Sequence, residues 1–372
     1  MKATLKSVAF LFMSIKTETL VVGQGMAGTC IALALKQQNR DFLVVDNQHH
    51  LSSSIVAAGL YNPIVFYKQT LSFNAEKLIP FTKAYYAEWE RAHGVEVHKE
   101  RVFTRVFSSV EEQNDWLSKS SRVPHSMYMK SGLDRPNPQL FNAPFQASQV
   151  QSAGGLDVPV FLSKSRDYFI AESSILNDRL KKVEPQDEHW KCILEEGKTI
   201  LAQRIIFCEG HQSMNNPYFN YLPITGTKGD VLTIKCPEMI CDDVVNAGFF
   251  IMPLGNDYYR VGASFEWNNH SHEISIAARH ELEGKLKGLL KVPFEVIDQL
   301  TGMRPTTGDR RPVMGAHPKF EGLYIFNGLG SKGVLLAPYY ANHLTDHIFN
   351  NIPIEKEVSI HRYLKHYGNT KN

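Results

Sequence analysis

The apolar positions of this chain fall into two periods, and their order predicts an α/β fold. Thr19–Val22 is a short β-branched run entering a glycine turn, and Met26–Lys36 follows with helix-forming residues and few breakers. Phe42–Asp46 reads as the next strand. Together they make a βαβ unit of about 30 residues, whose parallel strands need helices on both faces of the sheet. That is the doubly wound class.

Beyond the polar segment Asn47–Ser54 and an Ala-Ala-Gly turn, Ala75–Arg91 carries Phe81, Tyr85, Tyr86 and Trp89 on one helix face. From Val95 to Ala147, short strand-like runs such as Val102–Phe107 alternate with polar turns. Gly155–Pro159 leads into helical spacing, and Trp190–Leu194 and Arg204–Gly210 read as strands of the first lobe. Lys228–Ile234 and Phe249–Phe265 read as longer antiparallel strands with aromatic alternation, before a helix across Glu273–Leu290. The chain thus leaves the nucleotide lobe and returns to it twice. We expect a discontinuous nucleotide domain (17–90, 150–215 and 300–372) interleaved with a mainly antiparallel α+β substrate domain (91–149 and 216–299).

Composition narrows the class. With 43% hydrophobic and 21% charged residues over 372 positions, the chain can bury large cores and is neither disordered nor collagen-like. A formal charge of +2 gives no global field that would mark nucleic acid or anionic lipid as a partner. The five cysteines are odd in number and scattered, which favours a reducing, cytoplasmic setting. Lys2, Lys6 and the apolar run Val8–Met13 resemble the start of a secretory signal, but the run is too short and lacks a cleavage pattern, so residues 1–16 read as a disordered extension. No window has the apolar length of a membrane span.

The chemistry begins at Gly23-Gln24-Gly25-Met26-Ala27-Gly28, a complete G-x-G-x-x-G between strand and helix, with Asp46 18 residues after Gly28. Gly23 allows the tight turn, Gly25 lets the backbone approach a pyrophosphate, and Gly28 lets helix and strand pack closely. The helix start, at Met26 and Ala27, adds N–H donors and a positive dipole. Asp46 would accept from ribose hydroxyls. His343 with His347, His270 with His272, and Cys236 with Cys241 lack the further ligands of a metal site, so no metal is expected.

Three C-terminal phrases follow in order: Gly302-Met303-Arg304-Pro305, Gly308-Asp309-Arg310-Arg311-Pro312-Val313-Met314-Gly315, and Gly322 to Gly333. With the glycine fingerprint, Cys208-Glu209-Gly210 and Thr225–Gly229, they resemble the D-amino-acid and glycine oxidase superfamily. Gly328-Leu329-Gly330-Ser331-Lys332-Gly333, followed by Ala337-Pro338, is also similar to the flavin domain of the bifunctional enzyme that removes a carboxymethyl group from a tRNA wobble uridine. The resemblance implies FAD as cofactor, with Cys208 and Gly210 beside the adenosine and Gly302, Gly328, Gly330, Ser331, Lys332 and Gly333 around the flavin. It also implies that Arg304 binds a substrate carboxylate. Lys332 can add charge at the flavin edge, and Phe250 can line the pocket above it. Leu329–Lys332 lacks the extra arginine that glycine-oxidase-like chains can carry, which argues against glycine itself. No cysteine stands where related sarcosine oxidases attach flavin, so the FAD should be non-covalent.

The expected activity is oxidation of the C–N bond of a small carboxylated amine or amino acid, with oxygen or another molecule as electron acceptor. Carboxymethyl removal from tRNA is the alternative substrate reading, and a non-catalytic flavoprotein redox subunit is the alternative class.

Overall fold

The computed structural model describes residues 14–48, 52–267 and 269–369. Two eight-stranded sheets organise them. The first is the nucleotide sheet. Its central strand, Ile15–Val22, pairs in parallel with Phe42–Val45 on one side and Thr199–Phe207 on the other. Ile175–Leu176 and Leu323–Asn327 extend it outward, again in parallel. Every residue of Phe42–Val45 is buried, as a parallel strand covered on both faces requires.

On one face the helices Met26–Gln37, Ala75–His93, Val158–Ala171 and Gly333–Asn350 share a core that includes Ile31, Tyr86, Phe161 and Tyr340. On the other, Leu20, Val22, Ile205 and Phe207 pack with Phe219 and Tyr221. The sequence unit 19–46 thus forms the βαβ start that its periodicity predicts, with the strand beginning earlier, at Ile15. The expected extension lies outside the described residues as far as residue 13, and Ile15 and Lys16 belong to the strand.

The second sheet runs in the order Glu295–Thr307, Ile224–Lys235, Tyr258–Gly262, Phe250–Gly255, Val244–Asn246, His98–Val106, Ala147–Leu156 and Leu60–Tyr61. All neighbours are antiparallel except Val244–Asn246 with His98–Val106. The helix Ile276–Leu289 covers it through Leu282 and Leu286, against Leu232, Ile234 and Val261.

Three strands of the second sheet, Leu60–Tyr61, Ala147–Leu156 and Glu295–Thr307, lie wholly or partly within the ranges expected for the nucleotide domain. Ala147–Leu156 pairs with His98–Val106, and Glu295–Thr307 pairs along the whole length of Ile224–Lys235, so both belong to the second sheet. A local apolar pattern reveals a strand but not its partner, because pairing is a long-range property. The stretch Phe249–Phe265 is a hairpin that turns at Asn256-Asp257, both left-handed, as tight hairpin turns favour. Its expected continuation into a helix at Glu273 is corrected to Ile276, where Ser275 Oγ caps the helix by accepting from Ala278 N (3.2 Å). No helix among the described residues is long and apolar enough to cross a membrane.

Candidate functional site

One cavity of about 1050 Å³ is lined by residues of both sheets. One end is built on the glycine turn. The Met26–Gln37 helix starts on Gly25, which offers no side-chain cap, and its first turn carries no acid. Only Ser54 Oγ accepts from the Met26 N–H, at 3.2 Å. A helix N-terminus facing a cavity with its dipole uncompensated suits a pyrophosphate.

The glycines divide the work. A Cβ at Gly28 would stand 1.7 Å from the Gly23 carbonyl oxygen, so that glycine serves the helix–strand contact and lies beneath the cavity. A Cβ at Gly25 would meet only Ser54 Oγ, at 3.0 Å, and project where Gly25, Met26 and Ala27 line the cavity. Gly23, at φ +97°, makes the turn.

Asp46 also lines the cavity. Its Oδ2 accepts from Gln24 N (2.9 Å), and its Oδ1 accepts from Gln48 N (2.8 Å) and from the Arg166 guanidinium (3.0 Å). A carboxylate has about four acceptor positions, so one remains open for a ribose hydroxyl. Arg166 was not singled out in the sequence, although it is a lone arginine on a face with Phe161, Leu162 and Phe169. It is buried and also donates to Gln24 Oε1 (2.9 Å), Asp46 O (3.2 Å) and Asn177 Oδ1 (3.1 Å).

Segments far apart in sequence are tied together around the cavity. Asn327 Nδ2 donates to Gly210 O (2.7 Å), while its Oδ1 accepts from Gly328 N (2.8 Å). Gly330 N donates to Pro305 O at 2.9 Å. Cys208 and Gly210 therefore line the end beside the glycine turn, and Gly302, Gly330, Ser331, Lys332 and Gly333 also line the cavity. Gly328, at φ +73°, turns the chain behind the wall. The cavity-lining acids, Asp46, Asp178 and Glu209, are all at the glycine-turn end.

Arg304 projects from Glu295–Thr307 into the other end. Its Nη1 donates to the carbonyls of Ser264 (3.3 Å) and Lys228 (3.5 Å), and the guanidinium lies 4.6 Å from the centre of the Phe265 ring. Burial pulls its pKa down to about 10, against the opposing pull of Asp230. Asp230 is engaged elsewhere: it accepts from Gln299 Nε2 (2.6 Å), Ser275 N (2.8 Å) and Thr301 Oγ1 (2.8 Å). Among the described residues Arg304 forms no ion pair.

Lys332 lines the same end, with Nζ 3.4 Å from Ser72 Oγ. Burial lowers its pKa, and the charge of Arg310 lowers it further. Phe250 is partly buried on the wall, where a Cβ at Gly262 would come within 3.1 Å of its ring. Tyr259 is in the second core. His343 Nε2 accepts from Glu355 N (3.2 Å), the His347 ring is hydrogen-bonded to Ile352 O (2.9 Å), and the Cys236 and Cys241 thiols donate to backbone carbonyls.

Comparison with known proteins follows the same lines. The family described as FAD dependent oxidoreductase matches residues 18–347. A tRNA 5-methylaminomethyl-2-thiouridine biosynthesis bifunctional protein from Idiomarina loihiensis is 23% identical over 348 residues, 88% of this chain and 54% of that protein. The chain therefore spans about half the length of this relative. Glycine oxidase from Bacillus licheniformis is 31% identical over 110 residues, covering 29% of this chain and 30% of that one. In fold, the chain is similar to glycine oxidase from Geobacillus kaustophilus (TM-score 0.79, 18% identity, 92% and 96% of the two chains). It is also similar to iminodiacetate oxidase from Chelativorans sp. BNC1 (TM-score 0.78, 17% identity, 92% and 99%). With a family match spanning most of its length, the chain belongs to the FAD dependent oxidoreductase family and is an FAD-binding enzyme.

Proposed function

We propose that this enzyme oxidises the C–N bond of a small amine or amino acid that bears a carboxylate, and that Arg304 holds that carboxylate. The observation that carries the reading is the state of Arg304: a largely enclosed guanidinium on the cavity wall, stacked on Phe265, with backbone carbonyls as its hydrogen-bond partners. A buried charge without a partner is costly, and a planar fork suits a bidentate carboxylate.

The glycine turn and the start of the Met26–Gln37 helix would hold the pyrophosphate of FAD, with Asp46, Cys208 and Gly210 by the adenosine. Gly302 and Gly328–Gly333 would hold the ring system. Bound FAD would supply a two-electron acceptor. Arg304 orients the substrate α-carbon, and Phe250 and Phe265 exclude water. A neutral amine that loses hydride becomes an iminium ion, which water hydrolyses to a carbonyl compound and a protonated amine, so no side-chain base is required for the hydride step. Cys208 is the cavity-lining cysteine among the described residues and lies at the nucleotide end, which supports non-covalent binding.

A second reading has its own support. A relative matched over 88% of this chain bears a name for the biosynthesis of a methylaminomethyl thiouridine in tRNA. An amine on a tRNA uridine that carried a carboxymethyl group would be a substituted glycine and would suit the same arginine.

The test is anaerobic reduction of the holoenzyme by a matched acid and its decarboxylated amine. Arg304→Lys keeps the charge but loses the fork, so reduction by the acid should slow at least about tenfold, or roughly 1.4 kcal/mol, with FAD retained. Equal slowing of both substrates, or loss of FAD, would make Arg304 structural and remove the substrate reading. Adding modified tRNA to the substrate panel separates the two readings.

A further inference from the structure

The cations that line the cavity divide into two groups. Arg179, Lys181 and Lys182 are at the nucleotide end, where Asp46, Asp178 and Glu209 also stand. Arg304, Arg310 and Lys332 line the other end, which has no acid among its described lining residues. Arg310 has the Tyr67 ring as neighbour, 5.8 Å from its guanidinium carbon, and Lys332 has a single distant hydroxyl, Ser72 Oγ. The adjacent acid, Asp309, is held by Arg362 at 3.1 Å.

One arginine is accounted for by the substrate carboxylate proposed above. Lys332 is largely enclosed and feels the charge of Arg310, which stands at the exposed side of the same cavity, so an anion received by both would offset that repulsion. Oxidised flavin is neutral and cannot be that anion. We infer that the substrate is a dianion: an amine with one carboxylate on Arg304 and a second anionic group, of carboxylate size, received by Arg310 and Lys332. This rests on the proposed role of Arg304 and deepens it. It selects N-carboxymethyl amino acids and related diacids over glycine, sarcosine and simple D-amino acids.

The experiment pairs iminodiacetate with N-isobutylglycine, in which a neutral group of the same shape replaces the second carboxylate. Binding to the holoenzyme is read from the flavin absorption change, and reduction from anaerobic bleaching. Wild-type protein should prefer the diacid at least tenfold, and Arg310→Gln, at an exposed position, should cut that preference at least tenfold. Lys332→Met should do the same.

Equal binding of the two ligands by the wild type would overturn the inference. So would variants that lower FAD affinity yet keep the diacid preference, because the cations would then serve the cofactor. If neither ligand bleaches the flavin, the proposed reaction fails, while the binding preference still decides whether a second anion is recognised.

Discussion

Gly25 and Gly28 are one motif in sequence but should fail in different ways. In Gly28→Ala the new methyl would lie 1.7 Å from the Gly23 oxygen, 1.3 Å short even of the 3.0 Å limit for real contacts. Cys208 Cβ, at 3.4 Å, restricts escape, so the helix must move off the central strand. Overpacking of this kind costs about 3 kcal/mol, and better helix propensity returns about 1, leaving a net loss of about 2 kcal/mol. In Gly25→Ala the methyl meets only the rotatable Ser54 hydroxyl, at 3.0 Å. Its backbone, at φ −80° and ψ −165°, is open to any residue, and the poorer N-cap costs about 0.5–1 kcal/mol. That methyl does project where phosphate oxygens would sit, so FAD affinity should fall at least about tenfold. Urea unfolding of the apoprotein and fluorescence titration with FAD separate the two effects. If Gly28→Ala unfolds like wild type, or Gly25→Ala binds FAD with unchanged affinity, the division of roles between the glycines is wrong.

Two further predictions follow from charged groups. Arg166→Met leaves Asp46 and Gln24 without their shared partner, so the apoprotein should lose about 3 kcal/mol in urea and bind FAD more weakly; a loss under about 0.5 kcal/mol would show the pair to be dispensable. Glu112 is half-buried; burial alone would raise its pKa, but hydrogen bonds from Ser108 and the Arg105 guanidinium hold it below 4.5. Because its folded value is the lower one, its stabilisation is complete above 4.5 and disappears as pH falls through the folded value. Stability measured between about pH 6 and pH 3 should therefore fall less steeply in Glu112→Gln, and identical slopes would refute this.

The glycine-turn half of the candidate site was legible because its determinants are local. Strand, glycine turn, helix and Asp46 lie within 15–46, and each position is fixed by a nearby steric or dipolar demand: the Gly28 contact with Gly23, the open N-terminus at Gly25, the end of the second strand. The C-terminal phrase around Gly302–Arg304 was legible as a motif, but not as a strand of the second sheet, since pairing with Ile224–Lys235 depends on residues far away. Tertiary structure alone showed that Arg166 joins Gln24 N and Gln48 N in occupying the Asp46 carboxylate and that Asn327 ties the Gly210 turn to the Gly328–Gly333 turn. It also showed that Arg304, Arg310 and Lys332 line one end of a cavity whose acids lie at the other. A periodic pattern records what each residue needs from its neighbours along the chain, whereas charge balance and hydrogen-bond occupancy depend on groups that only folding brings within reach.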